Sequence, residues 1–250
     1  MSPRWTRTYG PREDPAVRLL CFHYAGGNAA MFRTWPSALP DWLEPVAVQL
    51  PGRDDRYTEA PYDLMDPLVA DLVDALEPLL DRPFACYGFS MGARVALELA
   101  HALRDRDLPV PTRLFVASSS APALRLPVRG WSESDEGLVA YLRELGGTSE
   151  VVFDNPDLLE LFLPTVRADL AVVGRLVPPD RPPLDVPIRA FAGADDATAP
   201  AASMRPWRAE TAAAFDLTVV PGGHFFSPEG VEQVLRTTAD DLLPVGVPGQ

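Results

Sequence analysis

The sequence predicts an α/β fold: a mainly parallel central sheet flanked by helices, with one helical insertion. Three observations carry this. Short apolar or β-branched runs bounded by turn residues alternate with longer segments of helical period. That rhythm breaks once, between Ser118 and Ile188, where about 70 residues replace the roughly 20 to 35 of a simple strand–helix–strand crossover. The chain has 250 residues, 47% of them hydrophobic and 23% charged, which supplies a sizeable core and argues against disorder.

The strands expected in order are Val17 to His23, Val46 to Leu50, Phe84 to Tyr87, Arg113 to Ser118, Ile188 to Ala192 and Leu217 to Val220. Helical periodicity covers Leu64 to Leu80, Met91 to Arg104 and Met204 to Ala214, and a final helix starts after Ser227 with Pro228 in its first turn. Inside the long insertion, Leu138, Leu142 and Leu145 fall at helical spacing, as do Leu158, Leu159, Phe162 and Leu163. Gly146-Gly147 and the run Pro178 to Pro183 punctuate its ends. The expectation is a single domain over 1–250, with 121–187 forming a helical lid.

Composition removes several function classes. Acidic residues number 35 against 22 basic ones, a net charge of −13, so general attraction to nucleic acid or to an anionic membrane is disfavoured. All the basic residues are Arg, and without any Lys neither Schiff-base nor Walker-type phosphate chemistry is available. Cys21 and Cys86 sit in apolar runs with no metal-ligand spacing and read as buried thiols. The first residues carry Arg4, Arg7 and Arg12 where a signal peptide needs an apolar stretch, and no apolar run is long enough to span a bilayer. A cytoplasmic location is therefore expected.

The chemistry concentrates in Gly88-Phe89-Ser90-Met91-Gly92. This motif follows an apolar strand and opens a helical run, the setting of the nucleophile elbow of α/β-hydrolases. A serine there needs a base, and the chain holds three histidines. His101 lies about 16 Å down the helix from Ser90, and His23 precedes the serine in the chain. His224, after the final strand, fits the order serine, acid, histidine. The acid should leave the strand before it, where Asp195 and Asp196 end the run from Phe191. Asp196 is favoured by its spacing from Gly193, with Asp195 as the alternative. The oxyanion of a tetrahedral intermediate needs two donors: the backbone N–H of Met91 and, from the small-residue loop after the first strand, that of Ala25. Nothing in this scheme requires a metal or a cofactor.

Four further blocks make the sequence resemble the type II thioesterases that edit polyketide and nonribosomal peptide assembly lines. They are Phe22 to Gly27 with Phe32 and Trp35; Gln49 to Arg56 with its Pro51-Gly52-Arg53; Leu145 to Thr148 with Pro164 and Arg167-Ala168-Asp169; and Pro221 to Phe226. With the elbow they span nearly the whole chain, and the Pro-Gly-Arg and Gly-Gly-His-Phe-Phe blocks are the more specific. The resemblance implies hydrolysis of acyl or aminoacyl groups from the phosphopantetheine arm of an acyl or peptidyl carrier protein, by a monomer without cofactor. One departure is that Asp196 is followed by Ala197-Thr198-Ala199-Pro200 where family members carry a turn former, which leaves Asp195 and Asp196 both open.

No carrier, condensation or adenylation segment fits in 250 residues, so the free-standing form is expected rather than a terminal domain of a synthase. Carrier proteins are acidic like this chain, so docking is expected to use a local arginine cluster, with Arg53, Arg56, Arg125 and Arg129 as candidates. Two rival classes share the scaffold. A small-molecule esterase or acyltransferase would keep the triad without needing the Pro-Gly-Arg block, and a non-catalytic binding protein would normally have lost a triad member.

Overall fold

The structure, a computed structural model, describes residues 4–243, so the two ends of the expected 1–250 span lie outside the described residues. Seven strands form one sheet in the order β1-β3-β2-β4-β5-β6-β7. They are β1 (Thr6–Arg7), β2 (Val17–Phe22), β3 (Leu43–Val48), β4 (Phe84–Phe89), β5 (Leu114–Ala117), β6 (Ile188–Gly193) and β7 (Phe215–Val220). Every pairing is parallel except β1 with β3. The central strands read as continuous apolar runs because both faces of a parallel sheet are covered.

Helices α1 (Met65–Leu76) and α2 (Met91–Asp105) cover one face. The other face is covered by α7 (Pro228–Leu242) together with two short 3₁₀ turns that bring Phe32 and Trp35 into the core. Between β5 and β6 the chain makes α3 (Asp135–Leu145), α4 (Glu150–Asp154) and α5 (Pro156–Gly174). Each starts at a side-chain cap, Ser134, Ser149 and Asn155 respectively, whose oxygen accepts from N–H groups that have no intrahelical partner. Leu138 and Leu142 of α3 meet Leu163, Val166 and Leu170 of α5 in a separate small core. Of the leucines expected to mark that face, Leu158 is exposed, and the buried stripe starts five residues later.

Two expectations are corrected, and one strand is added. The strand expected from Val46 begins at Leu43, because a parallel partner on β2 pairs its early residues, Pro45 included. β1 is too short to show periodicity, and it exists because it pairs with the β3 edge. The helix expected over Met204 to Ala214 is α6 (Ala201–Met204) followed by a 3₁₀ turn over Arg205–Glu210. Pro206 has no N–H for a helical bond, and the turn is tied down instead by Trp207 Nε1 donating to the Ser119 carbonyl at 2.6 Å.

Candidate active site

β4 runs straight into α2, and the residue at the junction is Ser90, with φ 55° and ψ −113°. That conformation is uncommon for a residue with a side chain and persists only where the surroundings enforce it. Steric exclusion around the turn supplies the enforcement. A Cβ on Gly88 would stand 2.2 Å from the Gly92 carbonyl oxygen, and one on Gly92 would stand 2.2 Å from that of Phe22. Strand, turn and helix can therefore pack this closely only with glycine at both places, which is the physical content of the Gly-x-Ser-x-Gly pattern.

β6 and β7 end beside this turn, and their loops deliver the other two side chains. His224 Nε2 lies 3.2 Å from Ser90 Oγ, and its Nδ1 lies 3.1 Å from Asp196 Oδ2. Asp196 is 4% exposed, while Asp195 points to solvent. The other Asp196 oxygen accepts from the N–H groups of Thr198 and Ala199 at 2.8 and 2.9 Å. Burial alone would raise this carboxyl, but the His224 contact and those two N–H groups outweigh it and hold it below the ordinary carboxylate value. Thr198 and Ala199 thus bind the acid through their backbone, where side-chain identity matters least.

The imidazole is braced from behind. Phe89 packs edge-on to it, Phe225 packs on both Phe89 and Tyr24, and Phe226 packs on Phe89. Ser118 Oγ, at the end of β5, donates to the His224 carbonyl at 2.8 Å. Sequence reading missed this serine. Its signal would have been a polar residue closing an apolar strand at the same sheet edge as the elbow.

Ser90 and His224 open into a cavity of about 360 Å³ that Ala25 and Met91 also line. Met91 is the first residue of α2, where backbone N–H groups have no intrahelical acceptor. The loop carrying Ala25 is fixed through its neighbour, since Gly26 N–H donates to Asp169 of α5 at 2.7 Å. Asp169 in turn takes two bonds from Arg53, at 2.6 and 2.8 Å, and that guanidinium also donates to the carbonyls of Gly27 and Pro51. Arg53 is 7% exposed and Asp169 2%. The Pro-Gly-Arg block and the Arg-Ala-Asp block, separate in the sequence, are the two halves of one buried ion pair.

This corrects the docking expectation. Arg53 faces inward, and Arg56 is buried as well, bonded to Glu59 and the Gln49 carbonyl with its guanidinium over the Trp5 ring. Of the four arginines expected to form the cluster, Arg125 and Arg129 are exposed, and Arg129 is on the cavity wall. His101 also stays away from the site, buried in α2 with neither ring nitrogen bonded. Among the described residues no helix is long and apolar enough to cross a membrane.

Residues 17–242 match the model of the thioesterase domain family. The chain is 34% identical over 246 residues to the gramicidin S biosynthesis protein GrsT of Aneurinibacillus migulanus, covering 98% of this chain and 96% of that one. Among solved structures it is similar to the RedJ thioesterase of the prodiginine biosynthetic pathway in Streptomyces coelicolor. The identity there is 37% and the TM-score 0.86, over 93% of this chain and 95% of the other. It is also similar to BorB, the type II thioesterase of the borrelidin biosynthetic cluster, with 34% identity and a TM-score of 0.87 over 96% and 98% of the two chains. The family match takes in every parallel strand and every helix from β2 to α7, so no part of the catalytic scaffold falls outside it, and the chain belongs to the thioesterase family of α/β-hydrolases.

Proposed function

We propose that this enzyme hydrolyses acyl and aminoacyl thioesters held on the phosphopantetheine arm of carrier proteins, clearing stalled units from a biosynthetic assembly line. The observation that carries the chemistry is the contact of Ser90 Oγ with His224 Nε2 at the mouth of a cavity in a thioesterase-family chain. The carrier is suggested by the similar type II thioesterases, one of a biosynthetic cluster and one of an NRPS/PKS pathway.

In this reading Ser90 Oγ attacks the thioester carbonyl while His224 takes its proton, and the backbone N–H groups of Ala25 and Met91 receive the oxyanion. His224 passes the proton to the departing pantetheine thiolate. A water that His224 then deprotonates attacks the acyl-enzyme, and His224 returns that proton to Ser90 Oγ as the acid leaves. Asp196 holds the imidazole in the tautomer that keeps Nε2 unprotonated towards Ser90 and stabilises the imidazolium. The enzyme acts as a cytoplasmic monomer, as one domain. Residues 121–187 serve as its lid, a role supported by the Tyr141, Leu145 and Leu170 side chains on the cavity wall. Arg129 on the cavity wall and the exposed Arg125 contact the carrier.

The test compares one acyl group on a carrier protein, on N-acetylcysteamine and as an oxygen ester. Contacts remote from the reacting carbonyl lower the barrier only if the partner is recognised, so kcat/KM on the carrier should exceed that on N-acetylcysteamine by about tenfold or more. The advantage should shrink as salt rises from low ionic strength to about 0.5 M, because exposed charges are screened. Equal rates on carrier and small thioester would overturn the carrier assignment, and faster turnover of the oxygen ester would make the enzyme an esterase.

A further inference from the structure

Arg94 lies one turn into α2, four residues after Ser90, and forms part of the cavity wall. It is 9% exposed, and its Nε is enclosed without an acceptor. Among the described residues no hydrogen bond or ion pair reaches its guanidinium. The other buried arginines are different: Arg18, Arg53 and Arg56 each bond a carboxylate and at least one backbone carbonyl. A guanidinium carries five donors and cannot shed its charge at ordinary pH, so burying it unpaired is costly. Such a group beside a cavity has donors available to an anion or other acceptor that enters.

The surroundings leave that role open. Glu98, one turn further along α2, is held by Arg181 at 2.7 Å. Glu210 acts on Arg94 only through space, beyond ion-pairing distance, as do Glu98 and Arg181. The same cavity wall carries the polar Ser118, Ser119 and Ser120, the apolar Leu126, Val128 and Val173, and Glu144, whose charge is paired with Arg129 at 2.8 Å. An α-helix rises about 1.5 Å per residue, which separates Arg94 from Ser90 by roughly 6 Å along the axis. Ser90 and Arg94 line one cavity about one helical turn apart, so a short acyl chain held at Ser90 can bring its far end to the guanidinium.

We propose that Arg94 is a specificity-determining residue that binds a carboxylate at the far end of the acyl chain, so that the preferred substrates include half-thioesters of short dicarboxylic acids. This rests on thioester hydrolysis at Ser90 and adds the acyl class. The guanidinium would form a charge-assisted, two-pronged pair with that carboxylate in a site shielded from water, and a methyl group in its place would leave the cation unsatisfied.

The experiment uses N-acetylcysteamine thioesters, so that no partner protein enters the measurement: succinyl against butyryl, and glutaryl against pentanoyl. In the wild type kcat/KM should favour the carboxylate-bearing member of each pair. Arg94→Met should lower the carboxylate-to-neutral ratio by about ten- to a hundredfold, and Arg94→Lys, which keeps the charge but loses the fork, should fall between. Free glutarate should inhibit the wild type more strongly than valerate, a readout that needs no variant. A wild type that turns over the neutral members and leaves the carboxylates untouched, or a ratio equal in wild type and Arg94→Met, would overturn the Arg94 assignment alone. Inactivity on every thioester of the panel would overturn the hydrolase reading as well.

Discussion

Asp195 and Asp196 are adjacent carboxylates, and their environments separate them. Asp196 is enclosed, bonded through one oxygen to His224 and through the other to two backbone N–H groups, whereas Asp195 stands in solvent. A carboxylate so held can orient an imidazole and stabilise its positive charge; an exposed one cannot. Asp196→Asn preserves the shape and removes the charge, so it should cost about 10²- to 10⁴-fold in kcat on a thioester substrate, while Asp195→Asn should change kcat less than about threefold. Steady-state kinetics on the two variants, with circular dichroism to show that both fold, checks this, and the reverse ranking would move the role to Asp195.

The elements around the site are joined by a small number of buried polar contacts. Arg53 leaves the loop after β3, Asp169 projects from α5, and Gly26 belongs to the loop after β2, yet one network of bonds ties the three together. Thr165 Oγ1 adds a bond from α5 to the Gly52 carbonyl at 2.8 Å. Gly147, after α3, sits so close to the Phe225 ring that a Cβ there would be 2.2 Å away, which binds the insertion to the residue following His224. Arg53→Ala would leave Asp169 charged and buried without its partner, and breaking such a pair costs about 3–5 kcal/mol. Chemical denaturation should show a loss of that order, with faster amide exchange over α5. The double variant Arg53→Leu with Asp169→Leu should recover part of the loss, because it removes both desolvated charges together. A single variant as stable as the wild type would show the pair to be dispensable.

Across the whole molecule, acid sensitivity follows from histidines buried without charge. Burial is the main cause that drives His23 down to about 4 and His101 down to about 3, helped by Arg53 near the first and Arg181 near the second. Each therefore stays neutral in the folded protein while its unfolded counterpart protonates near 6.5. The unfolded chain then binds more protons, so stability rises with pH between about 4 and 6.5 and is lost as pH falls through that window, by up to about 1.4 kcal/mol per pH unit per group. His101 makes no hydrogen bond through either ring nitrogen, so His101→Leu removes the proton linkage without removing a bond. Urea unfolding at pH 7.5, 6 and 5 should give a shallower decline in the variant than in the wild type, and parallel declines would rule this linkage out.

The sequence alone determined the features that depend on neighbours along the chain. Alternating apolar runs and helical periods make a parallel sheet with covered faces. The two glycines around Ser90 make a turn that only glycine permits, and Ser90, the Asp195–Asp196 pair and His224 each follow a strand, in the order serine, acid, histidine. The extra length between Ser118 and Ile188 marks the insertion without saying what it touches. Only the tertiary structure decided which of two adjacent aspartates turns inward, that Arg53 and Arg56 are interior while Arg125 and Arg129 are exposed, and that Arg94 alone among the buried arginines described has no partner. The reason is physical. Periodicity and turn chemistry are local and leave a trace in every few residues, whereas the partner of a buried charge is chosen by which distant loops converge on it, as 116 residues of chain separate Arg53 from Asp169.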